Sequence, residues 1–224
     1  MRVLLIHTAG SEGSVALAET DAERRIVAAE VLPGRSSSER LVPAVRRLLG
    51  ELSWRLGELA AVVVVSGPGS FTGVRVGLSA AKGLSEAGGV GLIAVSRLAL
   101  LAARVSVEEG AVHAVLDAGR GEFYYGAYVG GRCLREALIR AEELRAAATG
   151  GVVVACEAKV AETLDALGVE VWMVEEPLAG DALAVAFGRI EAGDFDDAAT
   201  LDANYLRRTD MEIFAKAAAQ RDAR

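Results

Sequence analysis

Histidine, cysteine, proline and basic charge are all in short supply in this chain. Its 224 residues include two histidines, two cysteines, four prolines and 5% aromatics. The histidines, His7 and His113, form no HxxxH pair, so no two imidazoles share a helix face to hold a metal. Cys133 and Cys156 lack CxxC spacing, and a reduced compartment suits them better than a disulfide framework; both are expected to be small core residues. Acidic residues outnumber basic ones 31 to 24, giving a formal charge of −7. The basic groupings are mere pairs, Arg24 with Arg25, Arg46 with Arg47 and Arg207 with Arg208, which argues against direct nucleic-acid binding. No run approaches the ~20 apolar residues of a membrane span. Only four apolar residues follow Arg2 before His7, unlike a signal peptide. A cytoplasmic protein is expected. GxxxxGK[ST], GxGxxG and GxSxG are all missing, so P-loop, dinucleotide and nucleophile-elbow chemistry have no sequence support.

Hydrophobic residues make up 52% of the chain. That is more apolar surface than one compact core requires, leaving some to face a partner. Val3 to Ile6, Ser14 to Ala18 and Arg25 to Val31 are apolar or β-branched runs broken by Gly10, Gly13 and the polar stretch at Asp21, the pattern of an antiparallel meander. Ser36 to Glu39 spells a capping box opening a helix with Leu41, Val45, Leu48, Leu49 and Leu52 on one face and Pro43 near its start. Ala61 to Val65 reads as a strand buried on both sides, followed by SGPGSFTG and a helix from Phe71 to Ala87. In that helix Gly73, Gly77 and Ala81 recur at steps of four, as if to admit another helix. Gly91 to Val95 and Ser96 to Val105 add strand and helix, completing a β-β-β-α-β-α-β-α order typical of α/β layers. A second unit starts near Val112, with a hairpin, Val112 to Leu116 and Phe123 to Val129, then strands at Val152 to Ala155 and Val169 to Val174 with helices between and after. The expected division is residues 1–106 and 107–224, the final helix or tail packing back on the first lobe. The segment after Arg208 is polar and Ala-rich, a loosely docked helix or an unstructured tail.

The glycine turn after a buried strand has two readings. Its backbone N–H groups at a helix start can cradle a phosphate, or the turn is purely structural. Adjacent carboxylates, Glu142 with Glu143, Glu175 with Glu176 and Asp196 with Asp197, would point apart on a helix and are expected to be solvated.

As a whole, GPGSFTGVRVGLSAAKGL (67–84) closely resembles the signature of the TsaB family. VLLIHTAGSEGSVAL near the start, GRSSSERLVPAVRRLL (34–49), LDAGRGEFYYGAY (116–128) and LDANYLRR (201–208) resemble further family segments in the same order. The resemblance implies an actin-like, Hsp70-like two-lobed α/β fold. It also implies a non-catalytic scaffold with no cofactor. That scaffold would dock onto a TsaD-type subunit that threonylcarbamoylates tRNA, joined by a TsaE-type ATPase; alone it would pair as a homodimer, and it would meet tRNA only through the complex.

In that family the two helices at 37–49 and 71–87 form half of a four-helix bundle with the partner. The residues implied as interface are Ser38, Glu39, Leu41, Val42, Val45, Leu48, Phe71, Thr72, Val74, Arg75, Leu78 and Ala81. Each helix must also bury one face against its own sheet, and which apolar residues do which stays open. Thr8, Gly10, Ser11, Asp117 and Gly119 are candidates for a vestigial phosphate loop, and Gly150 with Gly151 for an adenosine loop. Related kinases and ATPases carry an acidic Mg²⁺ ligand at the end of the first strand, where this chain has His7, a departure that disfavours ATP chemistry and is read as a buried neutral histidine. The competing function is a small ATPase or sugar kinase of the same fold; a peptidase lacks any supporting motif.

Overall fold

The computed structural model describes residues 1–21, 23–33, 36–107 and 109–206. The tail expected after Arg208, and Gly34, Arg35, Arg207 and Arg208 of the resemblance segments, lie outside the described residues.

Two five-stranded sheets make up the fold. In the first, β1 (Arg2–His7), β2 (Gly13–Glu19) and β3 (Arg25–Leu32) form an antiparallel meander, and β4 (Ala61–Val65) and β5 (Gly91–Val95) add parallel beside β1. The parallel strands need crossovers, supplied by α1 (Ser37–Glu51) and α2 (Phe71–Gly88). A short helix, α3 (Arg97–Ala102), leads to the second sheet. There β6 (Ala111–Gly119), β7 (Glu122–Val129) and β8 (Arg132–Arg140) again form a meander. Next come α4 (Ala141–Ala147), β9 (Gly151–Ala155), α5 (Ala158–Ala166), β10 (Val171–Met173) and α6 (Ala182–Ala192), with β9 and β10 parallel beside β6. The spatial orders, β3-β2-β1-β4-β5 and β8-β7-β6-β9-β10, are the same arrangement used twice.

The period of two along each strand explains the layering. On β1, Val3 and Leu5 join Val63, Val65, Ile93 and the α6 residues Ala182, Leu183, Ala186 and Ile190 in one cluster. Leu4 and Ile6 face the other way, joining Val62, Val64 and the α1 and α2 residues Leu41, Val45, Leu48, Leu78 and Ala81. The second sheet is covered by α4 and α5 through Leu144, Val160 and Leu164, and on its other face by Leu98 and Leu101 of α3. Leu100 of α3 instead belongs to the first sheet's cluster, so this helix is wedged between the sheets.

Several expectations change. The capping box does not form: Ser36 makes no cap to the helix, and its hydroxyl donates to the Pro33 carbonyl at 2.7 Å. Pro43 sits exposed within α1, which runs on to Glu51. Strand β8 escaped the sequence pattern because RCLREALIR is a largely exposed edge strand, held by backbone pairing to β7 and carrying little apolar alternation. Cys133 lies exposed on that strand and is not a core residue.

Candidate functional site

The glycine segment works by close approach. Ser70 caps α2 by accepting from the Gly73 amide at 3.2 Å, while its own amide donates to the Ala9 carbonyl at 2.9 Å. A Cβ on Gly69 would overlap the Ala9 carbonyl oxygen, one on Gly73 the Thr8 carbonyl oxygen, and one on Gly77 the Thr8 hydroxyl. Thr8 Oγ1 donates to the Gly73 carbonyl at 2.6 Å. The small residues therefore seat α2 on the chain's own β1–β2 turn, correcting the idea that Gly73 and Gly77 admit a partner helix. Ala81 is buried against the sheet.

The implied interface residues divide cleanly. Leu41, Val45, Leu48, Val74, Leu78 and Ala81 are buried in the chain's own core, out of reach of a second protein in this structure. Ser38, Glu39, Val42, Phe71, Thr72 and Arg75 are exposed. Val42 and Phe71 remain 52% and 50% exposed, apolar side chains left in water on the outer faces of α1 and α2. The Arg75 guanidinium lies 3.7 Å from the Phe71 ring centroid, and its Nε donates to the Tyr205 hydroxyl at 2.8 Å. Tyr205, whose ring centroid is 6.0 Å from that of Phe71, completes this surface cluster. Residue-by-residue reading missed it; its signal was the 201–208 segment. Between the starts of α1 and α2 and the β1–β2 turn runs a groove of about 330 Å³, lined by Thr8, Gly10, Ser11, Ser38, Phe71 and Thr72 among others.

Thr8, Gly10 and Ser11 lie together on the β1–β2 turn, and Asp117 lines the same cleft between the sheets as Gly10 and Ser11. Glu176 occupies the β1–β2 turn. Its carboxylate accepts from the Ser11 amide at 2.9 Å, from the Ser11 hydroxyl, and from Arg97 at 2.7 Å. Burial by itself would raise this carboxyl; the Ser11 hydroxyl and amide, then Arg97, outweigh it and hold the group below the usual carboxylate range. Glu176 is thus no solvated surface acid, and neither is Asp196, which accepts from the Ala94 amide at 2.7 Å and pairs with Arg189. Arg97 also reaches Glu157 at 3.5 Å, and Glu157 accepts from the Asp117 amide at 2.6 Å, its carboxyl raised by burial.

Asp117 accepts from the Gly119 amide at 2.8 Å and pairs with Lys159 at 2.6 Å, which is turn chemistry beside a tight Arg120–Gly121 hairpin with positive φ at both residues. Gly151 is required by strand pairing, since a Cβ there would overlap the Ala111 carbonyl oxygen. His7 is buried, and neither ring nitrogen has a hydrogen-bond partner among the described residues. Burial first, then the Arg97 charge, push its pKa down to about 3, leaving a buried neutral imidazole beside Gly10. Cys156 is pushed up to about 11 by burial and is no thiolate nucleophile. Among the described residues, no group of three or more His, Cys, Asp or Glu side chains is placed to hold a metal ion.

A doubled β-β-β-α-β-α-β architecture with its cleft between the sheets defines an α/β protein of the actin-like class. The activator of 2-hydroxyisocaproyl-CoA dehydratase from Clostridium difficile shares the fold, with a TM-score of 0.50 over 86% of this chain and 95% of that one at 10% identity. A crystal structure from Pseudomonas aeruginosa, described as an uncharacterized protein with similarity to the peptidase YEAZ, is 30% identical and superposes with a TM-score of 0.74, covering 92% of this chain and 99% of that one. The tRNA threonylcarbamoyladenosine biosynthesis protein TsaB of Bacillus subtilis strain 168 is 36% identical over 130 residues, 57% of this chain and 55% of that protein. The chain thus spans about half the length of the curated relatives it matches. The family model for TsaD, tRNA N6-adenosine threonylcarbamoyltransferase, matches residues 30–181. The chain belongs to the TsaB (YeaZ) family, within the wider group described by that model.

Proposed function

We propose that this chain is a non-catalytic docking subunit in tRNA N6-threonylcarbamoyladenosine synthesis. Its lobe of residues 1–106 lays the exposed starts of α1 and α2 against a TsaD-type transferase, with a TsaE-type ATPase joining the assembly. The observation that carries the reading is the pair of half-exposed apolar side chains, Val42 and Phe71, on two helices whose other faces are already committed to the core. Ser38, Glu39, Thr72 and Arg75 are polar side chains exposed on the same two helices, in keeping with the polar rim of a docking patch. The same face pairs two copies when the transferase is missing. A chain of net charge −7 contributes little phosphate attraction, so tRNA is held by the partner. The filled β1–β2 turn and the neutral His7 leave this chain poorly equipped for phosphoryl transfer, which favours the docking role over a kinase or ATPase.

Reconstitution tests the reading. tRNA is incubated with threonylcarbamoyl donor and the cognate transferase, with and without this chain, and threonylcarbamoyladenosine is measured by mass spectrometry. Product is expected only when both proteins are present. Product formed by this chain alone, or by the transferase equally well without it, would sink the proposal.

A further inference from the structure

The β1–β2 turn has the geometry of an anion cradle and already contains an anion. Its walls are the Ser11 amide and hydroxyl, both directed at Glu176, and Gly10, where a Cβ would overlap the Glu176 Oε1 atom. The cradle thus fits a carboxylate only because residue 10 has no side chain. Arg97 closes it from the start of α3, nearly buried, with its Nε unpartnered among the described residues. Glu176 comes from the opposite direction, on the segment that follows β10 of the second sheet. One carboxylate therefore ties the first sheet's turn, the wedge helix and the second sheet together.

We infer that Glu176 is a built-in plug, an internal carboxylate that fills the Gly10–Ser11 anion cradle, clasps the two sheets and excludes phosphate groups from it. The physical reason is competition. A ligand that needs the cradle binds only to the fraction of molecules in which Glu176 has left, and its apparent affinity falls by that fraction. Arg97, itself nearly buried, holds the plug with a charge-assisted bond, a kind roughly twice as strong as a neutral one. Glu157 and Asp117 add negative charge along the same cleft. The plug does not rest on the docking face of α1 and α2, and loss of that face would leave it standing.

Inorganic phosphate is the probe, titrated against the full chain and followed by phosphorus NMR. Glu176→Ala should bind phosphate at least about tenfold more tightly than the unaltered protein, the factor expected if the plug is in place nine times in ten. Gly10→Ala, which fills the cradle while keeping the carboxylate, should gain no phosphate binding. Equal binding by the unaltered protein and Glu176→Ala, no binding by a folded Glu176→Ala, or a gain in Gly10→Ala matching that of Glu176→Ala would overturn the plug. Should Glu176→Ala fail to fold, amide exchange in the unaltered protein decides the matter. The Ser11 amide, on an exposed turn, should exchange at least about tenfold more slowly than in an unstructured chain, as a plug in place nine times in ten requires; exchange near the unstructured rate would refute the clasp.

Discussion

The two sheets share one strand order and are put to different uses. In the first, the turn between the opening strands is long, spanning residues 8–12, and wraps a carboxylate; in the second, the equivalent turn is a tight hairpin at Arg120 and Gly121. The first sheet's crossovers are helices of 15 and 18 residues whose starts leave apolar side chains in water. The second sheet's crossovers have 7 and 9 residues and no large apolar side chain left exposed. A common topology fixes where strands and crossovers lie. Helix length and turn length then differ between the two copies, and the second sheet's exposed apolar side chains, among them Leu134, Trp172 and Met173, lie on its strands and not on its crossovers.

That contrast can be strained from its strongest point to its weakest. Leu78→Ala in α2 and Leu164→Ala in α5 remove equivalent core side chains and should each cost about 2–5 kcal/mol in urea unfolding. If Leu78→Ala were neutral while weakening association, that side chain would belong to the interface after all.

His7 makes a pH prediction. The unfolded chain takes up this proton near pH 6.5 and the folded chain only near 3, so between those values the unfolded state binds more protons. Stability should be full above pH 6.5 and fall as the pH drops toward 3, by as much as ~4 kcal/mol from this residue. His7→Leu should remove that part of the acid slope in denaturant midpoints measured across the window. An unchanged slope would show that His7 takes up its proton at the same pH in the folded and the unfolded chain.

Two glycines in one helix sharpen the picture further. Gly73→Ala drives a methyl into the Thr8 carbonyl and should lower stability by ~1–3 kcal/mol. Gly83→Ala, exposed with nothing within 4 Å, should raise it by about 0.5–1 kcal/mol through helix propensity. Thermal unfolding of the pair checks both signs. A stable Gly73→Ala would return the small residues to a role in admitting a partner.

Much of this was legible in the sequence, for definite reasons. The β-branched run Ala61 to Val65 and the apolar run Val3 to Ile6 of β1 announce strands because burial on both faces leaves no room for polar residues. The glycine signature located the family, although its physical meaning, contact between α2 and the Thr8–Ala9 backbone, involves atoms more than 60 positions apart and has no local signal. For the same reason Glu176 passed for a surface acid: its partners, Ser11 and Arg97, are 165 and 79 residues away. Helical periodicity found the apolar stripe of α1 and could not say which way it faces; burial gives Leu41, Val45 and Leu48 to the core and Val42 to the surface.

Calorimetric titration of the cognate TsaD-type transferase with this chain, its Phe71→Asp form and its Val42→Asp form is the most direct test of the docking face. Each substitution is expected to weaken association by roughly 2–4 kcal/mol, about 30-fold to nearly 1,000-fold, with an unchanged thermal midpoint because both side chains already lie half in water. Undiminished binding by both folded variants would contradict the assignment.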